Sequence, residues 1–371
     1  MLSNKDKLFI NLLSLGIGTV DVKESKPLFM LTMSQWRNLM AMAEKQGVAA
    51  IAIDGVQRLY DTYGKDIKAV SETPAEWKQW AFECAGLVTQ YEQMCLKQRK
   101  VIYELSDIWA KESIRMMVFK GQANAFFYPK PEHRTTGDID CWLFGEAEKG
   151  DSLLENAGTV VDNKWYRHSK ISFKGETIEN HRVFCHTRGN RKKKAMEEEL
   201  KAMLRIPDFP TLEDCGKAFM PPAQFNACFL TYHGLHHFLS EGLRMKQVLD
   251  WAIFLKAAQK DVDWNAYNDF CEKYYLEIFS AVMNHIAIHY LGVELKCQGI
   301  ITDDTYAEKV IISTLNDDDY LFNSGKSDWK VRWLLVKNML RKDRWKYREI
   351  AQDNVWKRLY DIFMGFLKDK D

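Results

Sequence analysis

The sequence predicts an α+β protein, a small mixed β-sheet core flanked by N-terminal and C-terminal helical regions. Three observations predict it. Apolar residues recur at three-to-four spacing up to about residue 112 and again from residue 223, the period of a helix with one buried face. Between residues 113 and 188 short apolar runs bounded by glycine and proline replace that period, as strands do. A proline-rich connector, 189–222, separates the two patterns. The predicted regions are therefore 1–112, 113–188, 189–222 and 223–371.

Composition sets the outer bounds. The 371 residues are 46% hydrophobic and 13% aromatic, enough for a sizeable core and incompatible with wholesale disorder. A net charge of +1 provides no whole-molecule field to gather nucleic acid or an anionic membrane, so any polyanion must be met by a local patch. The eight cysteines are scattered and none forms a Cys-x-x-Cys pair. That pattern fits buried thiols in a reducing cytoplasm rather than a disulfide framework or zinc module.

In chain order, "LFINLLSLGIGTV" (8–20) superficially resembles a signal peptide but carries Asn11 and no small-residue cleavage site. A short buried helix is expected there, and no apolar run has the length of a membrane span. Residues 34–60 read as helical, with Gly47 dividing two helices. "TPAEW" (73–77) predicts a helix start, with Thr73 as N-cap, Pro74 in the first position and Glu76 closing a capping box. Trp80, Cys84, Leu87, Tyr91, Met94 and Cys95 trace one face of the long helix that follows, to about Lys111.

In the middle region, "RMMVF" (115–119) reads as a strand and "QANAFFY" (122–128) as a short helix stopped by Pro129 and Pro131. "DIDCWLF" (138–144) is a second strand, and "EAEKGDSLLENAG" a helix closed by Gly158. "TVVDN", "RHSKISFK" and "TIENHRVFCH" are three more strands, the last two joined by a Gly175–Glu176 turn. The connector opens with "NRKKKAMEEELK", where acidic residues at helical spacing balance the basic run. Helices return as "AQFNACFLTYHGLHHFLSE", "GLRMKQVLDWAIFLKAAQ" and "VDWNAYNDFCEKYYLEIFSAVMNHIAIHYLG". The last 70 residues carry two or three amphipathic helices, in which "WKVRWLLVKNMLRKDRWKYRE" packs its aromatic stripe internally.

The chemistry concentrates in "FKGQANAFFYPKPEHRTTGDIDCWLF" (119–144). Residues i and i+2 of a strand share a face, so Asp138 and Asp140 project together, about 7 Å apart at the backbone. Two carboxylates on one edge repel unless a cation neutralises them, and hard oxygen ligands suit Mg²⁺ or Mn²⁺. Two such ions clamp the attacking and leaving oxygens of a phosphoryl displacement. Glu179 in "TIENH" is the nearest third carboxylate, and His181 shares its face by the same alternation. Gly121 sits where a strand turns into a helix, a place for phosphate against free N–H groups, with Gln122 next to it. Lys120 flanks it, and Arg134 is positioned to reach a triphosphate. Each feature alone is commonplace; their order points to a metal–nucleotide site.

That order resembles the nucleotidyltransferase superfamily related to DNA polymerase β, and in particular a bacterial branch of uncharacterised nucleotidyltransferase-like proteins. The similarity rests on Lys120-Gly121, Tyr128-Pro129-Lys130-Pro131, Arg134, Gly137-Asp138-Ile139-Asp140 and Glu179-Asn180-His181. Weaker likenesses at Trp36, Gln46-Gly47-Val48, His233-Gly234, His237 and Asp250 extend it over roughly residues 34–260.

The resemblance implies a cytoplasmic enzyme that transfers a nucleoside monophosphate from an NTP to an acceptor, with release of pyrophosphate. Asp138, Asp140 and Glu179 would be its catalytic metal ligands for Mg²⁺ or Mn²⁺, with Glu179 also a candidate base. Lys120, Gly121, Gln122 and Arg134 would bind the nucleotide phosphates. The acceptor, whether sugar phosphate, small molecule, protein or RNA, is not chosen by the sequence. Gln122 stands where the superfamily usually has Gly or Ser, which motivates the alternative of a catalytically inactive nucleotide-binding or protein-interaction module on the same fold. His233 and His237, four apart on one helix, are read as lining the cleft rather than as a zinc pair; Asp250 is the nearest acidic residue that could join them.

Overall fold

The computed structural model describes residues 1–187, 190–240, 242–316, 336–337 and 340–352. The N-terminal region is helical: α1 (Asn4–Gly16), α2 (Lys26–Phe29), α3 (Met33–Lys45), α4 (Ala49–Tyr63), α5 (Lys68–Glu72) and the long α6 (Pro74–Lys111). The stretch that superficially resembles a signal peptide forms α1 and buries Phe9, Leu12, Leu13 and Leu15. Gly47, at φ +69°, separates α3 from α4.

The predicted capping box at Thr73 does not form. Helix α5 runs directly into α6, so the Thr73 hydroxyl donates back to Ala69 O at 2.8 Å, and Glu76 pairs instead with Arg37 at 3.5 Å. On the predicted α6 face Met94 is exposed, while Trp80, Cys84 and Cys95 are buried.

The middle region contains one five-stranded mixed sheet in the order β1-β2-β5-β4-β3. The strands are β1 (Met117–Val118), β2 (Ile139–Trp142), β3 (Val160–Asp162), β4 (His168–Phe173) and β5 (Glu176–His181). Helix α7 (Gly121–Ala125) follows β1, and α8 (Ala147–Asn156) follows β2. Strands β2 and β5 are parallel; the other neighbours are antiparallel. The hairpin between β4 and β5 turns at Lys174 and Gly175, both left-handed at φ +51° and +75°. The predicted Gly175–Glu176 turn is thus displaced by one residue, because Glu176 already pairs with Phe173.

Register sorts the two sheet faces. Ile139, Cys141, Ile171 and Ile178 are buried with Val101, Ile102, Leu105 and Trp109 of α6 in one apolar cluster. Asp140, Glu179 and His181 alternate with these residues and lie on the opposite face. That face is covered by C-terminal helices, not by α6.

The connector packs as structure. Helix α9 (Arg191–Met203) is capped by the Asn190 side chain, and Glu197 accepts the backbone N–H groups of Phe184 and Cys185 at 2.9 and 2.8 Å. The proline-rich part runs beside β1, where Val118 N–H donates to Phe219 O and Phe219 N–H to Met116 O, both at 2.9 Å. Helices α10 (Ala223–Ser240), α11 (Met245–Ala258), α12 (Trp264–Tyr274), α13 (Glu277–His285) and α14 (Ala307–Asn316) follow. The single stretch predicted over 262–292 breaks at Tyr275, whose left-handed φ of +59° caps α12, and α13 ends in a π turn at Ile286–Tyr290.

Residues 329–335 and 338–339 of the predicted C-terminal aromatic helix lie outside the described residues, as do 353–371. Within the described part, Trp345 packs on Phe238 with ring centroids 5.6 Å apart. No helix among the described residues is long and apolar enough to cross a membrane.

Candidate functional site

A cleft of about 230 Å³ lies between the polar face of the sheet and helices α10, α11 and α13. Its walls include Lys120, Gly121, Arg134, Asp138, Asp140, Glu179, His233, His237, Lys246 and Asp250. The sequence-predicted residues therefore converge, with two exceptions: the side chains of Gln122 and His181 are not part of the cleft wall.

Three carboxylates form one edge. Asp140 and Glu179 are direct partners in the parallel pairing of β2 and β5, so both side chains leave the sheet on the same side. Asp138 lies just before β2, two residues back on the same face. Asp140 is almost fully buried. Burial alone would push its carboxyl up, but Lys120 Nζ at 2.5 Å and His181 Nε2 at 2.9 Å hold it well below the usual carboxylate range. Glu179 likewise meets burial that raises it, yet His181 and His168 draw its carboxyl down to about 2. Asp138 is exposed and makes no hydrogen bond or ion pair among the described residues. Partial burial first, and the Glu179 charge second, push its carboxyl up. The arrangement gives two carboxylates fixed in their charged form and one that the fold opposes charging.

Backbone hydrogen bonding places the Lys120–Gly121 turn beside this edge. Phe119 N–H donates to Asp140 O at 3.1 Å. Lys120 then adopts φ +56° and ψ −135°, a strained conformation for a residue with a side chain, which turns its ammonium onto Asp140. Gly121 does not need to be glycine for the fold: its φ is not positive, and a Cβ there would meet only Asp138 O, at 3.7 Å. What it leaves open is the cleft itself. Helix α7 has five residues, so its dipole is slight.

Gln122 has a structural position. Its amide donates to Gln98 Oε1 at 3.0 Å, and the Gln98 amide in turn donates to Gly137 O. This relay ties α7 to the loop that delivers Asp138. Arg134 is also already engaged. Its Nε and Nη2 grip Asp250 at 2.8 and 2.7 Å, and Tyr128 donates to the same carboxylate at 2.9 Å. The pairing holds the Arg134 guanidinium above its ordinary value against the opposing effect of burial. Asp250 therefore fixes the loop 128–134 and does not join the histidines.

His233 and His237 face each other, Nε2 to Nε2 at 3.1 Å. Burial keeps His233 well below the usual imidazole range, so it is neutral and supplies a hydrogen-bonding wall without charge.

One cleft residue was not anticipated. Lys246, at the start of α11, is half-buried, and its amine makes no hydrogen bond or ion pair among the described residues. Desolvation, then the nearby Arg134 charge, bring it down to about 8. An ammonium withdrawn from water without an anion beside it is unfavourable, and it lines the same cleft as the carboxylate edge. The readable signal is a lysine four residues before Asp250, at the start of the largely apolar "MKQVLDWAIFL".

The donor set suits a hard dication: three carboxylates on one edge, two of them fixed in their charged form. Among the described residues a second group, His168, Glu179 and His181, brings ligand atoms within 4.8 Å of one another. A family model described as an uncharacterised nucleotidyltransferase matches residues 32–292. Comparison with curated proteins and with solved structures gives no match.

Proposed function

Because the chain belongs to this nucleotidyltransferase family, we propose that it is a metal-dependent enzyme of the DNA polymerase β type that transfers a nucleoside monophosphate from an NTP to an acceptor. The observation that carries this reading is the two-sided cleft, with Asp138, Asp140 and Glu179 on one wall and, on the other, the Lys246 amine, unpaired among the described residues. A metal–triphosphate complex presents the complementary charges.

In this reading Asp138, Asp140 and Glu179 hold Mg²⁺ or Mn²⁺, which when bound stabilises charge on the attacking and leaving oxygens. Gly121 lets the phosphates approach the backbone. Lys246 and Lys120 neutralise the triphosphate, while Arg134, committed to Asp250, shapes the wall. An acceptor hydroxyl attacks the α-phosphorus. The new O–P bond forms as the bond to the β-phosphate oxygen breaks, and pyrophosphate leaves. Asp138, exposed and without a hydrogen bond or ion pair among the described residues, is placed to take the hydroxyl proton. Glu179, already engaged by His181 and His168, serves as a ligand. The four predicted regions correspond, in this proposal, to a catalytic sheet unit with helical walls for the acceptor, in a cytoplasmic protein.

The experiment is a pyrophosphate-release assay with each NTP, Mg²⁺ or Mn²⁺, and sugar phosphates, small alcohols, proteins and RNA ends as acceptors. Release that is lost on Asp138→Asn supports the reading; release unchanged by that substitution refutes it. A second reading, a catalytically silent nucleotide binder, is favoured by one observation: Lys120 and His181 both already occupy Asp140 Oδ1. Nucleotide binding that depends on Asp138, without pyrophosphate from any acceptor, selects that alternative.

A further inference from the structure

We propose that the same sheet face carries a separate imidazole-containing metal site, formed by His168, Glu179 and His181, which takes a zinc-class dication in preference to Mg²⁺. Metal binding there does not require the proposed transferase activity, although it shares Glu179 with that site.

The register builds the triad. Strands β4 and β5 pair His168 with His181 and Lys170 with Glu179, so both imidazoles and the carboxylate leave the sheet on one side. His168 Nε2 is 3.4 Å from Glu179 Oε1, and His181 Nε2 is 3.6 Å from Glu179 Oε2. Tetrahedral ligands at zinc distances stand about 3.3 Å from one another, so the group needs little contraction to close on an ion.

Two further observations point to a ligand. Both ring nitrogens of His168 are inaccessible and neither has a hydrogen-bond partner among the described residues. Ring nitrogens shut off from water without a partner are unfavourable, and an ion at one of them resolves it. His181 Nδ1 lies 3.4 Å from Val183 O. A carbonyl behind the outer nitrogen of a ligating histidine is the usual support of a metal site, and it leaves Nε2 facing the Glu179 carboxylate.

A metal at His181 Nε2 replaces that nitrogen's 2.9 Å hydrogen bond with Asp140 Oδ1; the other contacts are compatible. Lys170 Nζ also lies 3.4 Å from Glu179 Oε1, with its side chain 42% exposed, so it can move to solvent when a metal takes that oxygen. Lys120 stays on Asp140. Two imidazoles and one carboxylate select zinc or cobalt over Mg²⁺, which prefers oxygen octahedra. A zinc bound here ties down Glu179, so it should weaken Mg²⁺-dependent nucleotide binding.

The test uses the full chain, stripped with a chelator and titrated with Zn²⁺ alone and Co²⁺ alone, without nucleotide. One ion per chain is expected, with the visible absorption of low-coordinate cobalt. His168→Ala should weaken affinity about tenfold or more, with an unchanged metal-free melt; His168→Asn serves if the alanine variant does not fold. Asp138→Asn and His233→Ala should leave zinc affinity within about twofold. Absence of zinc binding overturns the proposal. So does zinc affinity that survives loss of His168, or that falls as far with Asp138→Asn or His233→Ala. The Asp138 arm separates failure of this site from failure of the transferase reading, which depends on Asp138.

Discussion

Asp140 and Glu179 stand directly opposite each other across the parallel pair of β2 and β5, although they lie 39 positions apart in the chain. The pairing creates a carboxylate edge that neither strand has alone. Lys120 and His181 keep Asp140 charged, and the same His181 draws on Glu179.

The two aspartates should respond oppositely to neutralisation. Asp140→Asn strips a nearly buried charge from Lys120 and His181, and should destabilise the metal-free protein by about 1–3 kcal/mol. Asp138→Asn should raise its melting temperature slightly at neutral pH. The folded-state pKa of Asp138 lies above its ordinary 3.8, so the penalty for its charge is present above that folded value. The gain should vanish below pH 3.8, where Asp138 is protonated in both states. Thermal melts of both variants at pH 7 and at acid pH check this.

Gly121→Ala should fold and melt like the parent, because the added methyl meets nothing closer than Asp138 O at 3.7 Å. Nucleotide affinity should nevertheless fall at least about tenfold, a loss of roughly 1.4 kcal/mol, because the methyl occupies the phosphate approach. A variant with a normal melt and normal nucleotide affinity would remove Gly121 from the site.

Lys246 predicts a pH profile. Its amine is brought down to about 8 from 10.5, and a phosphate favours its charged form. Nucleotide affinity should be flat below about pH 8 and fall by up to about tenfold per unit above it. Lys246→Arg should flatten the profile, because guanidinium stays charged. The stability contribution has the opposite sign. Between about pH 8 and 10.5 the unfolded chain holds the proton that the folded one has lost, so this residue's contribution to stability rises with pH. Lost binding in that window therefore does not come from Lys246 unfolding the protein. Titrations from pH 6.5 to 9.5, with melts alongside, separate the two.

The Arg134–Asp250 pair is buried on both sides. Asp250→Ala leaves the guanidinium unpaired and should destabilise by about 3–5 kcal/mol, whereas the double change Arg134→Met with Asp250→Leu should recover most of that loss. Urea unfolding of the single and double variants measures the difference.

Local chemistry was legible in the sequence and long-range pairing was not. Gly47 as a helix break, the Gly121–Asp138–Asp140 order and the face shared by Glu179 and His181 could be read because turn geometry and strand alternation are local. Arg134 was read as a free cation because its partner, Asp250, lies 116 positions away. Gln122 looked like a departure in the phosphate turn, yet its amide reaches Gln98 on a helix earlier in the chain. Thr73 failed as a cap because the preceding helix gave its hydroxyl a nearer carbonyl. Lys246 and His168 were missed because only tertiary packing brings them to the carboxylate edge.

Calorimetric titration of the four NTPs with Mg²⁺ into the parent chain and into Asp138→Asn tests the central claim most directly. Asp138 is exposed and makes no hydrogen bond or ion pair among the described residues, so its loss should leave the fold intact. The account predicts metal-dependent binding of at least one NTP by the parent and little or none by the variant. Equal binding by the two proteins, or binding that does not require a dication, would contradict it.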